Sequence, residues 1–266
     1  MSAIERYLIK AGASLISKTV AHKLSRAFLA TQGTGWASPT SGVYSSGEYQ
    51  FLKSYLNGIK SPTVFDVGAN IGEYSLAIKK ANKNSFIHCF EPSKKHIKKL
   101  KANLKINKVL INPFGLSDEE KKEKLYKDQE ITGLASLIKR DLNHLSINQN
   151  QYEFVDLIVG DDYLKSKKLD LLDLIKIDVE GWEMEVLKGF KESFGKKIIK
   201  ACQFEFGHAH IEKRENFRDF YNFFMKYNYS LGIIKPNGKI NYIDKYDEIY
   251  ENYYCTNYIA FSKKIY

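Results

Sequence analysis

The chain has 266 residues, 44% of them hydrophobic and 27% charged, which is enough apolar material for a full core and excludes a disordered segment. Its formal charge is +10, but the lysines are spread over residues 94–105, 121–127, 165–168 and 196–200 with no basic stripe interleaved with aromatics. A solvated lysine-rich surface is therefore expected rather than a nucleic-acid track. No run approaches the roughly 20 apolar residues of a membrane span. The cysteines Cys89, Cys202 and Cys255 lack metal-binding spacing, which fits a reduced, cytoplasmic setting.

In chain order, residues 1–30 place Ile4, Leu8, Ala11, Leu15, Ile16, Val20, Leu24 and Phe28 at near-helical spacing against Arg6, Lys10, Lys18, Lys23 and Arg26. One amphipathic helix is expected, with its apolar face packed on its own domain. Peripheral contact with an anionic membrane, or a homo-oligomer formed through this helix, would also suit such a face. The stretch lacks the uninterrupted apolar core of a signal peptide. Residues 31–47, rich in Gly, Ser and Thr, carry Trp36 and Tyr44. These two rings read either as anchors of a loop over an acceptor pocket or as plugs at the core edge. The extension 1–47 then gives way to a domain spanning 48–266, which opens on a short helix marked by Tyr49, Phe51, Leu52, Tyr55 and Leu56.

From residue 63 onward, strand-like runs at 63–67, 86–90, 109–114, 154–159, 174–179 and 198–206, with a closing pair near 230–234 and 257–261, alternate with helix-like stretches at 73–81, 94–107, 182–190 and 216–227. This order predicts an α/β fold with a doubly wound, mostly parallel sheet that binds ligands beyond the carboxyl ends of its strands. The first run contains Asp66 and feeds Gly68-Ala69-Asn70-Ile71-Gly72, a loop whose backbone can approach a ligand closely. Glu91 ends the second run 19 residues past Gly72, near the spacing of a ribose-binding acid. Asp118, just past the third run, is placed to meet a purine. A dinucleotide fold would have Gly-x-Gly-x-x-Gly; here Asp66 precedes the loop and would repel a pyrophosphate. The acid suits a cofactor with a cationic end, and S-adenosylmethionine carries a sulfonium and an ammonium group.

Transfer of a methyl group needs a base near the sulfonium if the acceptor is a hydroxyl. Asp178 and Glu180, two apart at a strand end, are expected to line one wall, and their mutual repulsion would raise one proton affinity. A capping role for Glu180 is the alternative. Glu205, His208 and His210 follow the next strand at the same edge, with His208 a candidate base and Glu205 and His210 candidate acceptor contacts. A divalent cation held by Asp178, Glu205 and a histidine is not favoured, because the spacing matches no metal motif. Arg140, His144, Arg214 and Lys235 are cations that could meet an anionic acceptor.

Three blocks together are similar to the FkbM-type family of class I S-adenosylmethionine-dependent methyltransferases. They are Phe-Asp-Val-Gly-Ala-Asn-Ile-Gly at 65–72, Phe-Glu-Pro-Ser at 90–93 and Ile-Lys-Ile-Asp-Val-Glu-Gly-Trp-Glu at 175–183, followed by Val-Leu-Lys-Gly at 186–189. The resemblance runs from about residue 48 to 206. It implies a Rossmann-like seven-stranded sheet whose last strand inserts antiparallel. It also implies that Asp66, Gly68, Asn70 and Gly72 line the methionine side, Glu91 the ribose, Ser117 and Asp118 the adenine neighbourhood, and residues 132–137 the acceptor. The expected activity is O-methylation of a small sugar-containing acceptor, such as a nucleotide-linked sugar in polysaccharide or capsule synthesis. The alternative is an N-methyltransferase acting on nucleic acid, amides or amines. Its support is slight, since Asn112-Pro113-Phe114 lies after the wrong strand for the Asn-Pro-Pro-Tyr/Phe loop of such enzymes.

Overall fold

The computed structural model describes residues 2–15, 17–37 and 42–263. Helices α1 (Ala3–Leu15), α2 (Lys18–Thr31), α3 (Gly42–Ser45) and α4 (Glu48–Leu56) precede strand β1 (Thr63–Val67). There follow α5 (Glu73–Ala81), β2 (Phe86–Phe90), α6 (Lys94–Asn103), β3 (Val109–Asn112), β4 (Gly115–Ser117), β5 (Lys121–Lys127) and β6 (Gln151–Val159). Next come α7 (Gly160–Lys167), β7 (Leu174–Ile177), α8 (Glu183–Gly189), α9 (Lys191–Gly195) and β8 (Ala201–Phe206). The last elements are α10 (Phe217–Lys226), β9 (Tyr229–Ile234), β10 (Ile240–Ile243) and β11 (Thr256–Ser262).

The main sheet has eight strands in the order β10-β9-β11-β8-β7-β1-β2-β3. The run from β3 through β8 is parallel, and β11 inserts antiparallel between β8 and β9, as the resemblance implied. β10 adds an eighth strand by hairpin pairing with β9. Because side chains alternate across a strand, β1 sends Phe65 and Val67 into one core layer beneath α7 to α10, and Val64 into the other beneath α4 to α6. Strands buried on both faces explain the nearly continuous apolar runs that marked them in the sequence.

Two elements differ from expectation in this region. The third strand stops at Asn112 rather than residue 114, because Pro113 offers no N–H to the ladder. The run near 154–159 is not in the main sheet: it is part of β6, which pairs with β4 and β5 in a separate three-stranded sheet. β5, with sequence KKEKLYK, is a strand where the sequence pattern alone indicates lysine-rich surface.

The N-terminal expectation of one helix packed on the domain is also corrected. The chain forms two helices, and Ser17 caps the second by accepting from the Val20 N–H at 3.3 Å. No described residue of α2 is buried. Ile16 lies outside the described residues. No helix among the described residues is long and apolar enough to cross a membrane.

Candidate active site

The site is built where β1, β2, β7 and β8 end. After β1, Gly68, Asn70 and Gly72 adopt φ of 80°, 48° and 94°. A Cβ on Gly68 would stand 1.8 Å from the Asp178 carbonyl oxygen, so only glycine lets the loop lie against the end of β7. The Gly68 and Ala69 amides both donate to the Phe90 carbonyl at 3.0 Å, which ties the loop to β2. Glu91, buried at the end of β2, accepts from the Asn70 N–H at 2.9 Å and the Ser93 N–H at 2.8 Å. Burial pushes its carboxyl up to about 7.

On the facing side, the Asp178 amide donates to the Val67 carbonyl at 3.1 Å. The Lys176 ammonium donates to Asp178 Oδ2 at 3.0 Å and stands 4.0 Å from Asp66 Oδ1. Burial opposes charge on Lys176, but Asp178 and Asp66 outweigh it and raise its proton affinity. Strand β7 ends at Ile177, so Asp178 and Glu180 share a wall for a reason other than strand alternation. Glu180 takes φ 55° and Gly181 φ 101°, and the turn they make is held from below by Glu183. The Glu183 carboxylate accepts from the Val179 N–H at 2.8 Å and the Gly181 N–H at 2.9 Å, and lies 3.0 Å from His210 Nε2. The carboxylate that holds this turn is thus Glu183, and Glu180 does not cap α8, whose N-cap Trp182 has no side-chain cap.

Glu180 faces Arg140, whose Nη1 donates to Oε2 at 2.5 Å, while Ser136 Oγ donates to the Glu180 carbonyl at 2.7 Å. Burial, with the nearby Asp178 charge, holds the Glu180 carboxyl above the usual range. Glu205 is raised well above its ordinary value by burial and then by Asp178 and Glu180. Burial and the Arg140 guanidinium hold His208 down at about 4, so it is neutral near pH 7. Cys255 Sγ lies 3.5 Å from His208 Nδ1, and burial keeps the thiol protonated.

These groups border one cavity of about 710 Å³. It brings together Gly68, Asn70, Glu91, Asp178, Glu180, Glu205 and His208 from the sequence-selected set, together with Thr132, Gly133, Leu134, Ala135 and Leu137 of the suspected acceptor loop. The other selected residues are elsewhere. Asp66 does not line the cavity: it is fully buried under the loop, accepting from Ser75 Oγ at 2.6 Å. Gly72 is a packing position, where a Cβ would meet Leu100 at 2.8 Å. Ser117 is buried and accepts from Trp182 Nε1 at 3.2 Å, and Asp118 is exposed outside the cavity, leaving Leu116 and Trp182 on the wall. Trp36 donates to the Ser45 carbonyl at 3.0 Å, and Tyr44 packs on Tyr49 at 5.0 Å between ring centroids. Their own loop reaches the cavity instead through Ala37, Gly42 and Val43. His210 is buried beside Glu183 and does not line the cavity.

Sequence reading missed Lys176, Glu183 and Glu48. Glu48, from the first turn of α4, lines the cavity; its carboxylate accepts from Gln203 Nε2 and from Ser46 Oγ, each at 2.6 Å. A lysine inside the apolar run Leu-Ile-Lys-Ile was the available signal for Lys176. Arg140 and Lys176 are both committed to carboxylates, so the expectation of an anionic acceptor finds no support at this wall. Among the described residues, no group of three His, Cys, Asp or Glu is disposed to hold a metal ion. The loop amides and Glu91 fit a ribose-bearing cofactor, and the acid-rich wall fits one with a positive centre.

A model of the methyltransferase FkbM domain matches residues 66–231. The methyltransferase sdnD of Sordaria araneosa is 30% identical over 159 residues, covering 50% of this chain and 61% of that protein. The 2-O-methyltransferase NoeI of Sinorhizobium fredii (strain NBRC 101917 / NGR234) is 25% identical over 149 residues, covering 51% of this chain and 60% of its own length. The chain thus spans about three fifths of these curated relatives. A crystal structure of an O-methyltransferase from Bacillus cereus in complex with SAH aligns over 98% of each chain at 13% identity and a TM-score of 0.44, too loose a likeness to argue from.

Proposed function

The chain belongs to the FkbM methyltransferase family, and from that membership we propose that it methylates a hydroxyl of a small, sugar-containing acceptor using S-adenosylmethionine. The observation that carries this reading is the convergence of Asp178, Glu180 and Glu205 with the Gly68–Asn70 loop and Glu91 on the wall of one cavity. The name of one relative, a 2-O-methyltransferase, supports oxygen as the acceptor atom.

Bound in this cavity, S-adenosylmethionine supplies a methyl group on a positively charged sulfur. The loop amides would hold its methionine part. Each Glu91 oxygen accepts one N–H and keeps a lone pair for a ribose hydroxyl. Glu180, with raised proton affinity and a position fixed by Arg140, would accept the acceptor's hydroxyl proton as the methyl transfers. Asp178, held by Lys176, would orient the reacting hydroxyl, and neutral His208 would hydrogen-bond a neighbouring one.

Calorimetry should show S-adenosylmethionine binding and no NAD binding; the reverse would sink the assignment. A panel of sugars and sugar conjugates, screened by mass spectrometry for the gain of one CH₂, tests the acceptor. Asp178→Asn should lower turnover by about a hundredfold through misplacement of the hydroxyl. Methylation of RNA or an amine instead of a sugar would favour the nitrogen reading.

A further inference from the structure

We propose that α1 and α2 form a docking surface for an anionic membrane, lying in the plane of the lipid headgroups. Val20, Leu24 and Phe28 recur every four residues along one face of α2, and they are 48%, 46% and 70% exposed. Lys18 and Lys23 border this stripe on its two sides, His22 and Arg26 lie opposite it, and α2 contains no acidic residue. Helix α1 adds Ile4 and Tyr7, exposed on one face with Lys10 at its border, while Arg6 lies on the far side. An apolar stripe flanked by basic residues is the arrangement that buries side chains among acyl chains while its cations meet lipid phosphates.

Charge complementarity selects the occupant. Residues 1–31 hold five lysines and arginines against the single acid Glu5. A second copy docked face to face would bring the bordering Lys18 and Lys23 against their counterparts, whereas an anionic bilayer neutralises them. The helix is also fastened to the body: Gly35 N–H donates to Thr256 Oγ1 at 2.9 Å, and the Arg26 guanidinium lies 5.6 Å from the centre of the Tyr254 ring. Ala37, which lines the cavity, follows the end of α2 by six residues, a reach of no more than about 20 Å. A bilayer bound to α2 would therefore lie close to the part of the cavity that Ala37 lines.

The test is co-sedimentation of the full chain with vesicles of phosphatidylcholine alone or with added phosphatidylglycerol. Binding should require the anionic lipid and weaken with salt. Replacing both Lys18 and Lys23 by Gln should weaken binding roughly tenfold. Leu24→Gln with Phe28→Gln should weaken it comparably and leave the melting temperature unchanged, because neither side chain is buried. Equal pelleting with both vesicle types, or none with either, would overturn the proposal. So would a dimer in sedimentation velocity that the Leu24→Gln, Phe28→Gln pair dissolves, since the face would then be a subunit interface.

Discussion

Glu180 occupies a backbone region that costs a residue with a Cβ about 1–2 kcal/mol. It is kept there by Ser136 at its carbonyl and Arg140 at its carboxylate. The carboxylate is buried and feels the Asp178 charge, and both effects raise its proton affinity. A general base works only when ionised, so turnover should fall as the pH drops through this raised value. We expect the acid limb of the pH–rate profile to lie above the ordinary glutamate value of about 4.3. Asp178→Asn removes a neighbouring negative charge and should shift that limb to lower pH. Glu180→Gln should abolish the limb and cost about a hundredfold or more in turnover. A Glu180→Gln profile with the limb intact would assign the base elsewhere. The sequence marks Asp178 and Glu180 as acids at a ligand edge, but it does not mark the left-handed turn that aims the second one.

At the scale of elements, the wall depends on one turn between β7 and α8, and that turn depends on a buried pair. Burial alone would lower the proton affinity of His210, but the Glu183 carboxylate outweighs it and raises it. Burial would raise Glu183, yet His210 and the backbone N–H donors bring it below its ordinary value. The His210 contribution to stability is therefore full below about pH 6.5 and is lost as pH rises past the raised value. The Glu183 contribution holds above about pH 4.5 and is lost as pH falls through the lowered one. His210→Leu leaves a buried carboxylate without its cation and should cost about 3 kcal/mol. Denaturant melts should show a larger deficit at about pH 6 than at about pH 9; equal deficits would mean that the pair contributes no charge. His210 attracts a catalytic reading in the sequence because it follows a strand end beside His208. Only the three-residue turn at 208–210, which points one ring at the cavity and the other at Glu183, separates their roles. The glycine loop, by contrast, was legible, since an apolar run ending in closely spaced Gly and Asn has few other physical uses.

Across the whole molecule, the mostly parallel, doubly wound character of the main sheet followed from alternating apolar runs and helical patterns. The side sheet did not, because the three-residue β4 and the lysine-rich β5 acquire their strand pairing from β6. The central place of β11 was legible only through resemblance. It is buried between β8 and β9, and its Asn257 lies 3.4 Å from Gln203 Nε2, the same amide that donates to Glu48. A chain cut after Tyr254 should lose cooperative thermal unfolding by circular dichroism, because β8 and β9 would each expose an unpaired edge. A retained cooperative transition would show that the remaining strands re-pair. That shared amide also sets a schedule for synthesis on the ribosome. Helix α4 emerges early and Gln203 late, but the floor they build together is unfinished until residue 257 has been added and freed from the exit tunnel. Until then the Gln203 amide that holds Glu48 lacks its Asn257 partner, so we expect cofactor capture to follow release of this strand.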